Sequence, residues 1–207
     1  MGIMSVLHRQ RPAATEVDDA TIANASLTFT VRRTFDASVE AVWEAIDDDH
    51  AWEWLPFPGV GVRYDSPERG VGVIREMGSV HGIVRALWVE RERFWRYEPQ
   101  ERITFGVVSG TWIQYLLVRE YAENMEFAPN SSGGTDVKWD VAVTLRLPLR
   151  FTKYAPAVWR LAYREVGLGL LMQRRVAAVE ALREPPTQTT NGHRPSRLTK
   201  ASAGERK

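Results

Sequence analysis

The chain has 207 residues, 44% of them hydrophobic and 26% charged, with a formal net charge of +1 and no cysteine. Those proportions fit one soluble globular domain with tails, or at most two small domains, and so small a net charge supplies no global basic field for nucleic acid. The lack of cysteine excludes disulfides, thiolate nucleophiles and Cys-ligated zinc, and no stretch approaches the ~18 uninterrupted apolar residues of a membrane-spanning helix.

Residues 1–25 carry neither a helical nor a strand period and are expected to form a flexible N-terminal arm. No signal-peptide core is present, and Val6 stands where a myristoylation motif needs Ser or Thr, so a cytoplasmic location is expected. Leu27, Phe29 and Val31 alternate with polar residues, which predicts a strand. Asp36 or Ser38 can cap the helix expected from Val39, Val42, Trp43 and Ile46, and Ala51 to Leu55 reads as a second short helix stopped by Pro56. Asp47, Asp48, Asp49 and His50 superficially suggest a metal site. Consecutive side chains point in different directions, so caps and solvated turn residues are the better reading and no metal is expected.

From Gly59 to Leu147 the pattern is that of strands. Val60 and Val62 alternate, and Asp65 to Gly70 supplies turn chemistry. Val71, Val73, Arg75 and Met77 share one face of the next strand. A long strand over about Val84 to Tyr97 puts Trp88, Glu90, Glu92 and Phe94 on one parity, unless a bulge flips it. Ile103 to Val108 and Trp112 to Phe127 follow, then a Gly-rich turn, then the clean alternation of Val137, Trp139, Val141, Val143 and Leu145.

Pro156 to Leu182 reads as a long amphipathic helix. Val158, Leu161, Leu168, Met172, Val176 and Val179 fall on one stripe, with Glu165 in its middle and Gly169 beside it. A carboxylate and a missing side chain on the apolar face suggest a lined cavity; a rim position for Glu165 is the alternative. Residues 184–207 are rich in Pro, Thr, Gln and basic residues and are expected to form a disordered basic tail. The folded domain is therefore placed at 26–183.

This order of elements, together with certain residues, resembles the START/Bet v1-like (SRPBCC) superfamily, in its polyketide cyclase/dehydrase-like branch. The residues are Phe35 to Trp43, Trp54-Leu55-Pro56, Gly70 to Arg75, Tyr97 to Ile103 and Gly133 to Trp139. The resemblance covers about Ser26 to Leu182. It implies an α+β helix-grip fold, a curved antiparallel sheet wrapped around a long C-terminal helix with two short helices after the first strand and a cavity between sheet and helix. Members of the superfamily bind lipids or hydrophobic small molecules, cyclise or dehydrate polyketides, or act as partners of other proteins, so fold alone does not decide the chemistry.

Glu165 heads the candidate residues, because a carboxylate facing an apolar cavity would hold its proton and could donate it or bond a ligand hydroxyl. Arg75 is next; the family pattern sets a glutamate on the following strand, for which Glu90 or Glu92 would serve. Gly169, Trp54, Trp88, Trp112, Trp139, Tyr163 and Met172 are the candidate ligand contacts. No Ser-His-Asp arrangement or phosphate-binding glycine loop is evident, and no cofactor is expected. The leading expectation is a monomer or homodimer that binds a hydrophobic small molecule or lipid. A cyclase, aromatase or dehydratase using Glu165 or Arg75 is the alternative, and an adaptor using the outer sheet face is a third.

Overall fold

Alternation along the strands sorts their side chains between two faces, one of which carries the apolar core. The computed structural model describes residues 11–12, 16–53, 59–79, 88–111, 118–146, 154, 157, 160–161 and 172–183. Strand β1 is Arg11–Pro12, helix α1 Asp19–Asn24, β2 Leu27–Phe35 and α2 Val39–Asp47. Then come β3 Val60–Tyr64, β4 Ile74–Ser79, β5 Val89–Glu98, β6 Arg102–Gly110, β7 Val118–Pro129, β8 Thr135–Leu145 and α3 Met172–Arg183. The antiparallel sheet runs β2-β8-β7-β6-β5-β4-β3, and β1 pairs with the far end of β6. The α+β architecture expected from the sequence is therefore present, with a C-terminal helix against a seven-strand sheet.

The inner face is apolar because the odd-numbered residues of β2, β7 and β8 point into it. Leu27, Phe29 and Val31 join Tyr121, Met125 and Phe127, and Val137, Trp139, Val141 and Val143 complete the layer. Helix α2 starts where the Ser38 hydroxyl accepts from the Ala41 amide, and it buries Ala41, Val42, Ala45 and Ile46 on this layer. Helix α3 adds Met172, Val176 and Val179, each at most 2% exposed. It packs on α2 and is tied there by charge, Arg175 to Asp48 and Arg183 to Glu44 at 2.6 Å.

Two bulges decide which way β5 and β6 face. Arg91 lies opposite Ser109 but Glu92 opposite Val107, so Val108 is the extra residue on β6. Phe94 lies opposite Phe105 and Arg96 opposite Thr104, so Trp95 is the extra residue on β5. Past that point the parity of β5 reverses, and both Phe94 and Tyr97 reach the inner layer.

The structure adds to several expectations and departs from others. Within the expected N-terminal arm of residues 1–25, Asp18 caps α1 with a reciprocal bond to Thr21, and α1 lies against β7 and β8 on the outer face. The anchor is Val17, which is 6% exposed. Ala51 to Glu53, expected in a second short helix, form a turn, and residues 54–58 lie outside the described residues. Residues 80–87, 112–117, 147–153, 162–171 and 184–207 also lie outside them. Leu161, expected on the buried stripe of the long helix, is 62% exposed, because a helical projection gives direction about the axis and not whether a partner surface covers it. Val71, expected on a strand face, sits in the turn before β4 and is 68% exposed.

Candidate functional site

Among the described residues, a cluster of buried polar side chains interrupts the apolar inner layer. Tyr64, Arg75 and Glu92 stand opposite one another across β3, β4 and β5. Arg75 is fully buried, and its Nε donates to Glu92 Oε2 at 2.7 Å. Its terminal nitrogens Nη1 and Nη2, and Glu92 Oε1, make no hydrogen bond of good geometry among the described residues; the Tyr64 hydroxyl lies near the guanidinium but likewise lacks the geometry to bond it. Rings enclose the guanidinium instead: its Cζ lies 4.5 Å from the centroid of Phe105, 5.2 Å from Phe94 and 5.6 Å from Trp52.

Trp52 reaches that position from a left-handed backbone, with φ 70°. That conformation is uncommon for a bulky side chain and persists because the ring is locked in the core, 5.5 Å from Trp139. On β7, opposite Phe105, Glu123 is 4% exposed. Its Oε2 accepts from the Trp139 indole at 2.9 Å and its Oε1 from the Tyr121 hydroxyl. Burial, with the nearby Glu92 carboxylate adding to it, pushes the Glu123 carboxyl up to about 7. Burial likewise pushes Glu92 up, while the Arg75 charge opposes it. The Arg75 guanidinium stays charged, since Glu92 and Tyr64 outweigh its desolvation.

A second polar group lies at the end of α2. Tyr97 donates to Asp47 Oδ2, and Asp47 Oδ1 is buried with no partner among the described residues. Burial raises the Asp47 carboxyl, and Tyr97 and Arg75 oppose that rise. Arg69 lies over the Tyr64 ring at 3.3 Å and binds Asp49 at 2.5 Å. The acidic run is thus dispersed, with Asp47 bonded to Tyr97, Asp48 to Arg175, Asp49 to Arg69, and His50 Nδ1 3.1 Å from Glu53. No set of three or more metal-ligating side chains occurs among the described residues.

Of the residues singled out from sequence, Arg75 and Trp139 belong to this site. Met172 is fully buried on the α3 side of the same core, and Trp88 is half-buried at its margin. Register selects Glu92 as the partner of Arg75, while Glu90 lies opposite Met77. Glu165, Gly169, Trp54, Trp112 and Tyr163 lie outside the described residues. Glu123, Tyr64, Trp52, Asp47 and Tyr97 were missed. Glu123 carried a legible signal: it interrupts the inward row of Tyr121, Met125 and Phe127.

The family model described as polyketide cyclase / dehydrase and lipid transport matches residues 26–174. A comparison with curated protein sequences returned no match. Among solved structures, Ara h 8.0201 is similar at TM-score 0.53 and 16% identity, over 74% of this chain and 97% of that one. XoxI from Bacillus cereus is similar at 0.53 and 16%, over 77% and 99%. The TTHA0849 protein from Thermus thermophilus is similar at 0.54 and 17%, over 73% and 97%. These likenesses establish the fold. With a family model spanning most of the sequence, the chain belongs to the polyketide cyclase / dehydrase and lipid transport family.

Proposed function

We propose that this protein binds a hydrophobic small molecule between its sheet and its C-terminal helix, with a polar oxygen of that molecule held by Arg75. The observation that carries this reading is the half-satisfied guanidinium. A buried charge is tolerated when paired and hydrogen-bonded, yet Arg75 uses one nitrogen on Glu92 and leaves two without acceptors among the described residues. Leaving such groups unmatched costs on the order of 1–3 kcal/mol or more, so a ligand oxygen that accepts from both nitrogens gains what the free protein forgoes. Phe94, Phe105 and Trp52 supply the apolar walls, and Glu92 fixes the direction of the fork.

A second reading, proton transfer on a polyketide-like substrate, is favoured by Glu123. Burial raises its carboxyl to about 7, where a buried acid can both hold and release a proton near neutral pH, as a general acid must. Binding is the common element of both readings.

The test is native mass spectrometry of the protein purified from its own host, compared with the Arg75→Met/Glu92→Met double variant. The expected result is a co-purifying apolar molecule with a carboxyl, carbonyl or hydroxyl group, retained at least tenfold less by the double variant. Equal retention by a folded double variant would remove Arg75 from the site.

A further inference from the structure

The bulge at Trp95 is clamped from outside by the N-terminal segment. The parity reversal leaves Trp95 and Arg96 both facing outward, and residues 16–19 hold these two side chains. A Cβ built on Gly106 would lie 1.9 Å from Val17 Cγ2 and 2.9 Å from Trp95 Cζ3, so Val17 and the indole meet in the notch that this glycine leaves open. Asp19 takes Arg96 with both carboxylate oxygens, Oδ1 at 2.6 Å, and Glu16 takes Arg93 at 2.9 Å. The Arg96 guanidinium holds the Asp19 carboxyl below its usual range.

The inner side of the same stretch is the polar site. Phe94, just before the bulge, stacks near Arg75, and Phe105, beside Gly106, lies closest to its guanidinium. Tyr97, just after the bulge, bonds Asp47 and meets Trp43 edge-on at 5.4 Å. Were Trp95 to slip back into the ladder, strict alternation would turn Arg96 inward and Tyr97 outward. One extra residue therefore decides whether a tyrosine or an arginine faces Asp47.

We propose that the segment Glu16–Asn24 is a positioning strap. By gripping Trp95 and Arg96 on the outer face it holds the β5 bulge, and so sets Phe94 and Tyr97 on the inner face around Arg75 and Asp47. Ligand-free protein is enough to exercise this coupling, so it stands or falls independently of the binding reading. It also makes the inner site responsive to whatever competes for the strap, ionic strength foremost, because both latches are exposed ion pairs.

The experiment uses full-length Asp19→Arg, Arg96→Asp and the charge-exchanged double variant, each first shown to unfold cooperatively. Amide hydrogen exchange is followed residue by residue, and the titration of Glu123 by carbon NMR. In each single variant, exchange at Phe94–Tyr97 is expected to rise about tenfold or more, and the Glu123 midpoint to fall as the inner site loosens. The double variant is expected to restore both. Faster exchange confined to residues 16–24, with β5 and Glu123 unmoved, would overturn the proposal, as would failure of the double variant to recover. Asp19→Asn serves as a milder second variant should Asp19→Arg not fold; exchange at Phe94–Tyr97 equal to wild type in that variant would likewise count against it.

Discussion

Replacing Glu123 by Gln should make the protein more stable at pH 8 and leave it almost unchanged at pH 4. In the folded chain the Glu123 carboxyl titrates at about 7, against 4.5 for an ordinary glutamate. Between those values the native state holds a proton that the unfolded state has lost, so stability is fully present below about 4.5 and is lost as the pH rises through 7. The difference of about 2.5 units corresponds to about 3 kcal/mol at 1.36 kcal/mol per unit. At 4% exposure, solvent screens little of that difference. Glutamine is fixed in the neutral form and reproduces the geometry of the protonated acid. Its carbonyl can accept from the Trp139 indole, and its amide can donate to the Tyr121 oxygen once that hydroxyl turns.

The assay is urea unfolding of both proteins at half-unit steps from pH 4 to pH 8. The stability difference should be near zero at pH 4, should open between pH 4.5 and 7, and should level off at about 3 kcal/mol in favour of the glutamine variant. For a chain of this size that is ~6–12 °C in melting temperature. A difference that stays flat with pH would mean that Glu123 ionises normally, through solvent reaching the inner face. A glutamine variant less stable at pH 8 would mean that the carboxylate, not the acid, is the form the site holds.

Arg75→Met alone is expected to cost about 3–5 kcal/mol in urea unfolding, because it leaves the Glu92 carboxylate buried without its cation, whereas Arg75→Met/Glu92→Met should recover most of that loss. Equal destabilisation by the single and double variants would show that the two residues do not act as a pair. Gly78→Ala should cost more than about 2 kcal/mol, since φ is +140° and a Cβ would lie 2.5 Å from the Trp88 carbonyl oxygen. Gly72→Ala, at φ +88° but with open space around it, should cost only about 1 kcal/mol in the same measurement.

What could be read from the sequence was parity; what could not was register. The inward direction of Arg75 followed from alternation, but Glu90 and Glu92 share that parity, and only the pairing of β4 with β5 sets Glu92 opposite the guanidinium. Trp95 leaves no mark in the sequence as a bulge, so Tyr97 could not be placed beside Asp47, 50 residues earlier in the chain. The acidic run resisted reading for the same reason, since the arginines that disperse it lie 20 and 127 residues away. Residues 16–19 show no period because what fixes them to β5 and β6, a valine over a glycine and two acid–arginine pairs, is not periodic. Glu123 is different in kind. A carboxylate interrupting an apolar row marks Glu165 in the helix and, equally, Glu123 between Tyr121 and Met125. A strand of strict alternation is therefore where an inward charge stands out most clearly, because every second position states its face; on the helix, the exposure of Leu161 shows that the stripe alone does not. The polar site of this protein sits where the alternation admits a charge and the register supplies its partner, and only the first of these is written locally.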